Sequence, residues 1–244
     1  MEISVLLLLA LGIFIIAVLY SSVGHAGASG YIAVMSLMSL SPEFIKPAAL
    51  TLNIFVASIA FWQFYRAGHF RWTLFWPFIV LSIPMAFLGG YLNLPTRVFH
   101  VVIGVILLFS AVRFVLDVKP ESPKGEPSRT VAVTAGGALG FLAGLTGTGG
   151  GIFLTPLLLI MRWATAKIAA AVSALFILFN SASGLAGNIA ATLALPVFTL
   201  PLAVAAIAGG SIGSWVGSRK MNHRAIKRLL AVVLLIAGLK LLFS

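Results

Sequence analysis

The sequence contains no cysteine and very little negative charge. Its 244 residues include 5 Asp and Glu against 16 Lys and Arg, and only 9% of the residues are charged. Without cysteine, disulfides, thiolate metal sites and thiol redox chemistry are excluded. A soluble domain of this size carries about 25% charged residues, so this chain has too little polar surface to coat a water-soluble fold. With 61% hydrophobic residues, it is predicted to be an integral membrane protein.

The few acidic residues avoid the long apolar runs, since Glu43 and Asp117 lie at their edges. Carboxylates inside the membrane are typical of cation pumps, metal transporters and proton relays. Their absence argues against these classes and favours an anionic substrate. The net charge of +11 does not indicate nucleic acid, because the basic residues lie in short gaps between apolar runs, as the positive-inside rule describes.

Ten apolar segments follow one another, and a polar linker (118–129) with three prolines divides them into two sets of five. Eight are near the roughly 20 residues that a membrane-spanning helix needs, whereas the second of each set is short. We therefore predict an all-α polytopic membrane protein with a first transmembrane repeat at 1–117 and a second at 130–244. The segments are predicted at 4–22, 27–40, 46–65, 73–92, 98–117, 130–146, 150–162, 167–191, 197–217 and 225–243.

The two repeats carry similar features at a nearly constant separation. Gly30 and Gly151 are 121 positions apart, as are Lys46 and Lys167. If all ten segments cross the membrane, 13 Lys and Arg residues fall on one side and 3 on the other; if the short segments only dip in, the division is 9 to 7. The positive-inside rule favours ten crossings. Five crossings per repeat make the repeats inverted, as in many transporters, with both termini outside the plasma membrane and the linker cytoplasmic.

A glycine-rich turn precedes each short segment. As a helix, 150–162 rises only about 20 Å against a hydrocarbon core of about 30 Å, so its turn must lie deep in the membrane, buried in protein or lining a cavity. The unpaired N–H groups of helix N-termini bind anions. We predict a substrate site near the bilayer midplane formed by Ser22, Gly24, His25, Gly27, Ser29, Gly30, Asn53, Thr146, Gly147, Thr148, Gly149, Gly150, Gly151 and Asn180.

Some polar side chains of the prediction can have either of two roles. The four hydroxyls of the predicted site supply hydrogen-bond donors. Asn53 and Asn180 either face the substrate or bond to another helix, because a buried amide needs a partner. His25 either carries a coupling proton or fills a structural role. Lys46 and Lys167 are either gate charges that attract anions or lysines whose charged ends reach the membrane surface.

Two further sets of glycines recur at every fourth residue. This spacing lets helix backbones approach each other closely, so both sets are predicted to pack helices rather than to bind substrate. They are Gly136, Gly140 and Gly144, and Gly209, Gly213 and Gly217.

The second glycine-rich stretch, GTGGGIFLTPL at 147–157, looks like the G-x-G-G-G-x-x-x-x-P-x pattern of the sulfite exporter TauE/SafE family of membrane transporters. Residues 166–174 are similar to the alanine-rich helix start of that family. The resemblance covers essentially the whole chain. It implies a transporter, not an enzyme, that moves a small sulfur-containing anion (sulfite, thiosulfate or an organosulfonate such as sulfoacetate) across the plasma membrane.

Three alternatives stay open. Gly27-Ala28-Ser29-Gly30 matches the G-x-S-G of rhomboid intramembrane proteases, in which Ser29 would need a histidine base. A passive anion channel would use the same site without alternating access. A cation-coupled importer would bind Na⁺ at backbone carbonyls of the short segments. The expected partners are the anion, the lipid bilayer and H⁺ or Na⁺ as coupling ion; homo-oligomer formation is left open, and no nucleic acid, metal or cofactor is expected.

Overall fold

A computed structural model describes residues 3–22, 24–115, 123, 125–193, 199–219 and 223–243. Within these ranges the chain is all α-helical, as predicted, and half of the predicted linker lies outside them. The helices begin and end within a few residues of the predicted segments. They are α1 (Ile3–Ser22), α2 (Ala28–Leu37), α3 (Pro42–Arg66), α4 (Trp72–Tyr91), α5 (Thr96–Val115), α6 (Arg129–Thr146), α7 (Gly151–Ile160), α8 (Ala166–Thr192), α9 (Leu200–Arg219) and α10 (His223–Leu242).

Over the residues that are described together with their side chains, six helices are long and apolar enough to cross a membrane, namely α1, α3, α4, α6, α8 and α9. The helices α5 and α10 are each 20 residues long. The short helices α2 and α7 have 10 residues each, about 15 Å at 1.5 Å per residue. Neither is long enough to span the hydrocarbon core alone, so the polypeptide before each one must lie inside the bundle.

Glycines on α6 and α9 hold two pairs of helices in close contact. A Cβ added to any of these six glycines would overlap a main-chain carbonyl oxygen of the facing helix, so only glycine permits this separation. The predicted packing role is therefore confirmed, and because the paired residue numbers rise together, both pairs are parallel. The contacts join Gly136, Gly140 and Gly144 to Phe78, Ser82 and Ala86 on α4, and Gly209, Gly213 and Gly217 to Phe14, Val18 and Ser22 on α1.

The third helices of the two repeats, α3 and α8, cross at the centre of the bundle. They are the most buried of the six membrane-span candidates, at 61% and 67%. Asn53 lies beside Ser181, and Phe64 packs with Ala170, so residue numbers run in opposite directions and the two helices are antiparallel. The fifth helices are antiparallel as well, with Gly104 beside Leu242 and Gly238 beside Leu108.

Candidate functional site

The second glycine turn enters the crossing of α3 and α8. A Cβ at Gly149 would lie 2.6 Å from Asn53 Nδ2, 2.7 Å from Ser181 Oγ and 2.9 Å from Ile177 Cγ2. Asn53 is eleven residues after the start of the 25-residue α3, which is about 16 Å along it. The turn therefore reaches the middle of both long helices.

The backbone of this turn requires glycine. Gly147, Gly149 and Gly150 have φ angles of 78°, 72° and 82°, in the left-handed region, where a side chain is strained. The helix α7 begins directly afterwards, and its first hydrogen bonds run from the N–H groups of Phe153 and Leu154 to the oxygen of Gly150. The preceding N–H groups lie at the positive end of the helix dipole, which is a general anion-binding arrangement.

The first glycine turn meets the second. Gly24 lies directly against Ala170 near the start of α8, and the ring of His25 lies 3.9 Å from the Cβ position of Gly151 at the start of α7. His25 is 7% exposed. The structure thus brings together the two stretches that the repeat predicted to converge, one from each half of the chain.

Other glycines of the first turn serve the packing of α2. A Cβ at Gly27, which has a φ of 110°, would lie 2.7 Å from the ring of Tyr31, and one at Gly30 would overlap Ile16 on α1 and the ring of Tyr20. The hydroxyl of Tyr31 donates to the oxygen of Ala26 at 2.7 Å. This turn is therefore fixed by contacts with Tyr20 and Tyr31, whereas in the second turn a Cβ at Gly150 would lie 2.8 Å from the ring of Phe176.

The predicted hydroxyl donors all have partners within the protein. Ser22 Oγ donates to the oxygen of Leu19 at 2.7 Å, Ser29 Oγ donates to Tyr20 Oη at 2.9 Å, and the hydroxyls of Thr146 and Thr148 are 2.9 Å apart. The partner of Ser29 is a phenol and not the histidine that a serine nucleophile needs. The described hydrogen bond of Ser29 therefore does not support the protease alternative.

The two asparagines of the predicted site have different surroundings, although both are completely buried. Asn180 accepts from the hydroxyl of Ser82 on α4 and donates to the oxygen of Phe176 in its own helix. Asn53 donates through Nδ2 to the oxygen of Thr148 and to Ser181 Oγ, both at 3.3 Å. The amide of Asn53 is thus bonded to the turn, whereas that of Asn180 joins α8 to α4.

The two lysines that are 121 positions apart, Lys46 and Lys167, also have different surroundings. Lys46 is 4% exposed, and its ammonium group donates to the oxygens of Gly90 and Leu92 at 2.8 Å and of Gly89 at 3.3 Å, at the end of α4. Lys167 is exposed at the start of α8. Burial, together with the positive charge of Lys167, lowers the pKa of His69, which places the α3–α4 loop and the start of α8 at the same end of the bundle.

A cavity of about 600 Å³ opens at the opposite end of the bundle. It leads toward the second glycine turn, because Lys46 lines it and the Cβ position of Gly147 is 3.2 Å from the main-chain oxygen of Lys46. The lining includes Pro42, Glu43, Lys46, Asn93, Thr96, Leu145, Asn188 and Thr192.

Ser181 and Ile177 are residues of the site that the sequence did not single out. They lie one turn apart on α8 and contact Gly149, whereas Asn180 faces α4. The sequence could have indicated them through the spacing of Ile177, Ser181 and Gly184, which places these three residues on one face of a helix.

Comparison with known proteins identifies relatives of the whole chain. The family described as sulfite exporter TauE/SafE matches residues 8–241. A probable membrane transporter protein of Sinorhizobium fredii is 43% identical over 241 residues, which cover 96% of this chain and 97% of the relative. No solved structure matches the chain significantly. Because the matches extend over both repeats, they do not depend on one glycine-rich motif.

Proposed function

Because the chain belongs to the sulfite exporter TauE/SafE family of membrane transporters, we propose that it is a secondary transporter of a small sulfur-containing anion such as sulfite, thiosulfate or an organosulfonate. The family description supplies the sulfur. The scarcity of acidic residues, which number 5 against 16 Lys and Arg, favours an anion independently. The protein acts in the plasma membrane as a multi-pass carrier.

The observation that carries this proposal is the meeting of two glycine turns halfway along the central helices. Gly149 lies against Asn53 and Ser181, and His25 lies beside Gly151. In our proposal the anion binds the N–H groups at the start of α7, beside the first turn, and Lys46 attracts it into the cavity. The predicted residues Gly24, Gly147, Thr148 and Gly150 shape the backbone of the site.

Alternating access from two inverted repeats completes the proposal. The antiparallel crossing of α3 with α8 supports inversion, because equivalent helices of repeats with the same orientation would be parallel. The exchange of partners between repeats, α1 with α9 and α4 with α6, is what a two-fold relation between the repeats requires. We place the cavity and both termini outside and the linker inside, which agrees with the positive-inside rule.

Cysteine labelling tests this topology, since the chain has no native cysteine. We expect a membrane-impermeant maleimide to label Asn93→Cys in intact cells, and Ala67→Cys and Thr165→Cys only after the membrane is opened. All three positions are exposed loop or helix-end residues. If Ala67→Cys and Thr165→Cys were labelled from opposite faces, the short segments would not count as crossings and the inverted arrangement would be refuted.

Anion flux in proteoliposomes tests the function itself. We expect saturable uptake of sulfite, thiosulfate or sulfoacetate, competition among them, and little competition from lactate. Fast, non-saturating conductance would instead identify the passive channel. A flux that requires Na⁺ would identify Na⁺ as the coupling ion, and a response to a pH gradient would identify H⁺. The absence of flux for every anion would refute the proposed function.

A further inference from the structure

The amide of Asn53 is completely buried at the point where α3, α8 and the second glycine turn meet. Its Nδ2 atom donates to Thr148 and Ser181. Its Oδ1 atom has no hydrogen-bond donor among the residues that the structure describes. A buried carbonyl oxygen without a donor is rare in native structures, because its interaction with water has been lost without replacement.

The asparagine in the other central helix shows that this fold can satisfy such an amide. The Oδ1 atom of Asn180 accepts from the hydroxyl of Ser82, and its Nδ2 atom donates to Phe176. The open acceptor on Asn53 is therefore not a general consequence of placing asparagine in a central helix. Of these two amides, the one with the open acceptor is the one that contacts Gly149.

The amide of Asn53 lies beside a turn that opens a helix. The helix α7 begins at Gly151, two residues after Gly149, whose Cβ position lies 2.6 Å from Asn53 Nδ2. A ligand bound here meets several donors and one acceptor. A fully ionised oxyanion can use the donors only, and its oxygens would repel Oδ1. A singly protonated oxyanion can use both, because its O–H group can donate to the acceptor.

We propose that the site selects a monoprotonated oxyanion, with the ligand O–H group donating to Asn53 Oδ1 and its ionised oxygens accepting from the α7 turn. This inference rests on the proposed function and specifies the substrate class of the same site. Among sulfur anions it favours hydrogen sulfite over the sulfite dianion, and over sulfonates, which have no O–H group near neutral pH. A ligand that cannot donate a hydrogen bond to this buried acceptor should bind more weakly than hydrogen sulfite, on the order of tenfold to a hundredfold.

Two titratable side chains near the turns, besides the buried phenols of Tyr20 and Tyr31, must be separated from titration of the ligand. They are His25, beside Gly151, and Lys46, beside Gly147. We expect sulfite flux in proteoliposomes to follow the concentration of hydrogen sulfite as the pH passes through the second ionisation of sulfurous acid. The same profile should persist in His25→Gln and Lys46→Met, whatever their overall rates. A flux that follows the dianion would overturn the proposal.

Substitution of Asn53 supplies the second test. We expect wild-type protein to prefer sulfite to methanesulfonate on the order of tenfold or more near neutral pH, and Asn53→Leu to lose this preference. The matched variant Asn180→Leu removes a satisfied amide, so it should lower the thermal stability while keeping the preference. An unchanged preference in Asn53→Leu would refute the role of its acceptor.

A binding assay that does not involve transport distinguishes failure of this inference from failure of the proposed transport function. A ligand that binds the folded state raises the unfolding temperature of detergent-solubilised protein. The chain has no cysteine, so sulfite cannot react with a thiol or disulfide in this assay. We expect stabilisation by hydrogen sulfite at concentrations about tenfold below those needed with methanesulfonate. Equal stabilisation by both would overturn the inference even if no anion were transported, whereas the absence of flux alone would refute only the transport function.

Discussion

A valine at position 149 abolishes anion flux in a protein that still inserts into the membrane. Its Cβ would lie 2.6 Å from Asn53 Nδ2 and 2.7 Å from Ser181 Oγ, well inside van der Waals contact. The left-handed φ of 72° adds a backbone cost of about 1–2 kcal/mol for a residue with a side chain. Relief of the clash must move the turn away from the α3–α8 crossing, and this displaces the N–H groups that we propose bind the anion.

Gly68→Val provides the matched control. Gly68 has a φ of 76°, close to that of Gly149, but a Cβ added there has no described atom within 4 Å. The control therefore has a similar backbone strain without the clash. We expect flux near the wild-type level in Gly68→Val and background flux in Gly149→Val at equal amounts of inserted protein. Wild-type flux in Gly149→Val would remove the second turn from the site.

Lys46→Met lowers both the stability and the apparent anion affinity. The ammonium group of Lys46 donates to three carbonyl oxygens at the C-terminal end of α4, where a positive charge also interacts favourably with the helix dipole. Methionine preserves much of the chain length but leaves these oxygens unpaired, at a cost of about 2–4 kcal/mol. Loss of the charge from the cavity should raise the apparent KM about tenfold through weaker attraction of the anion.

Lys167→Met is the corresponding substitution in the second repeat. Its side chain is exposed, so its replacement should change the stability by no more than about 0.5 kcal/mol. Thermal unfolding in detergent and saturation curves in proteoliposomes compare the two variants directly. Equal losses in both would show that the lysines act as a symmetric pair, which contradicts the asymmetric roles that their contacts indicate.

The sequence by itself determined the class of protein and the positions of its helices. Long apolar runs can be satisfied only in a membrane, and Gly, Pro and charged residues interrupt them locally, so the predicted segments and the observed helices agree within a few residues. The shortness of α2 and α7 followed from the length of their apolar runs alone. The packing role of the glycines of α6 and α9 could also be predicted from the sequence, because their spacing places them on one face of a helix.

Only the tertiary structure distinguished between polar residues for which the sequence predicted the same role. Asn53 and Asn180 have the same chemistry and both lie in central helices, yet one amide touches the glycine turn and the other bonds to Ser82. Ser181 enters the site because α8 turns that face toward α3. Which face of a helix meets which neighbour depends on crossing angles and side-chain packing among several helices, and no local pattern of residues contains that information.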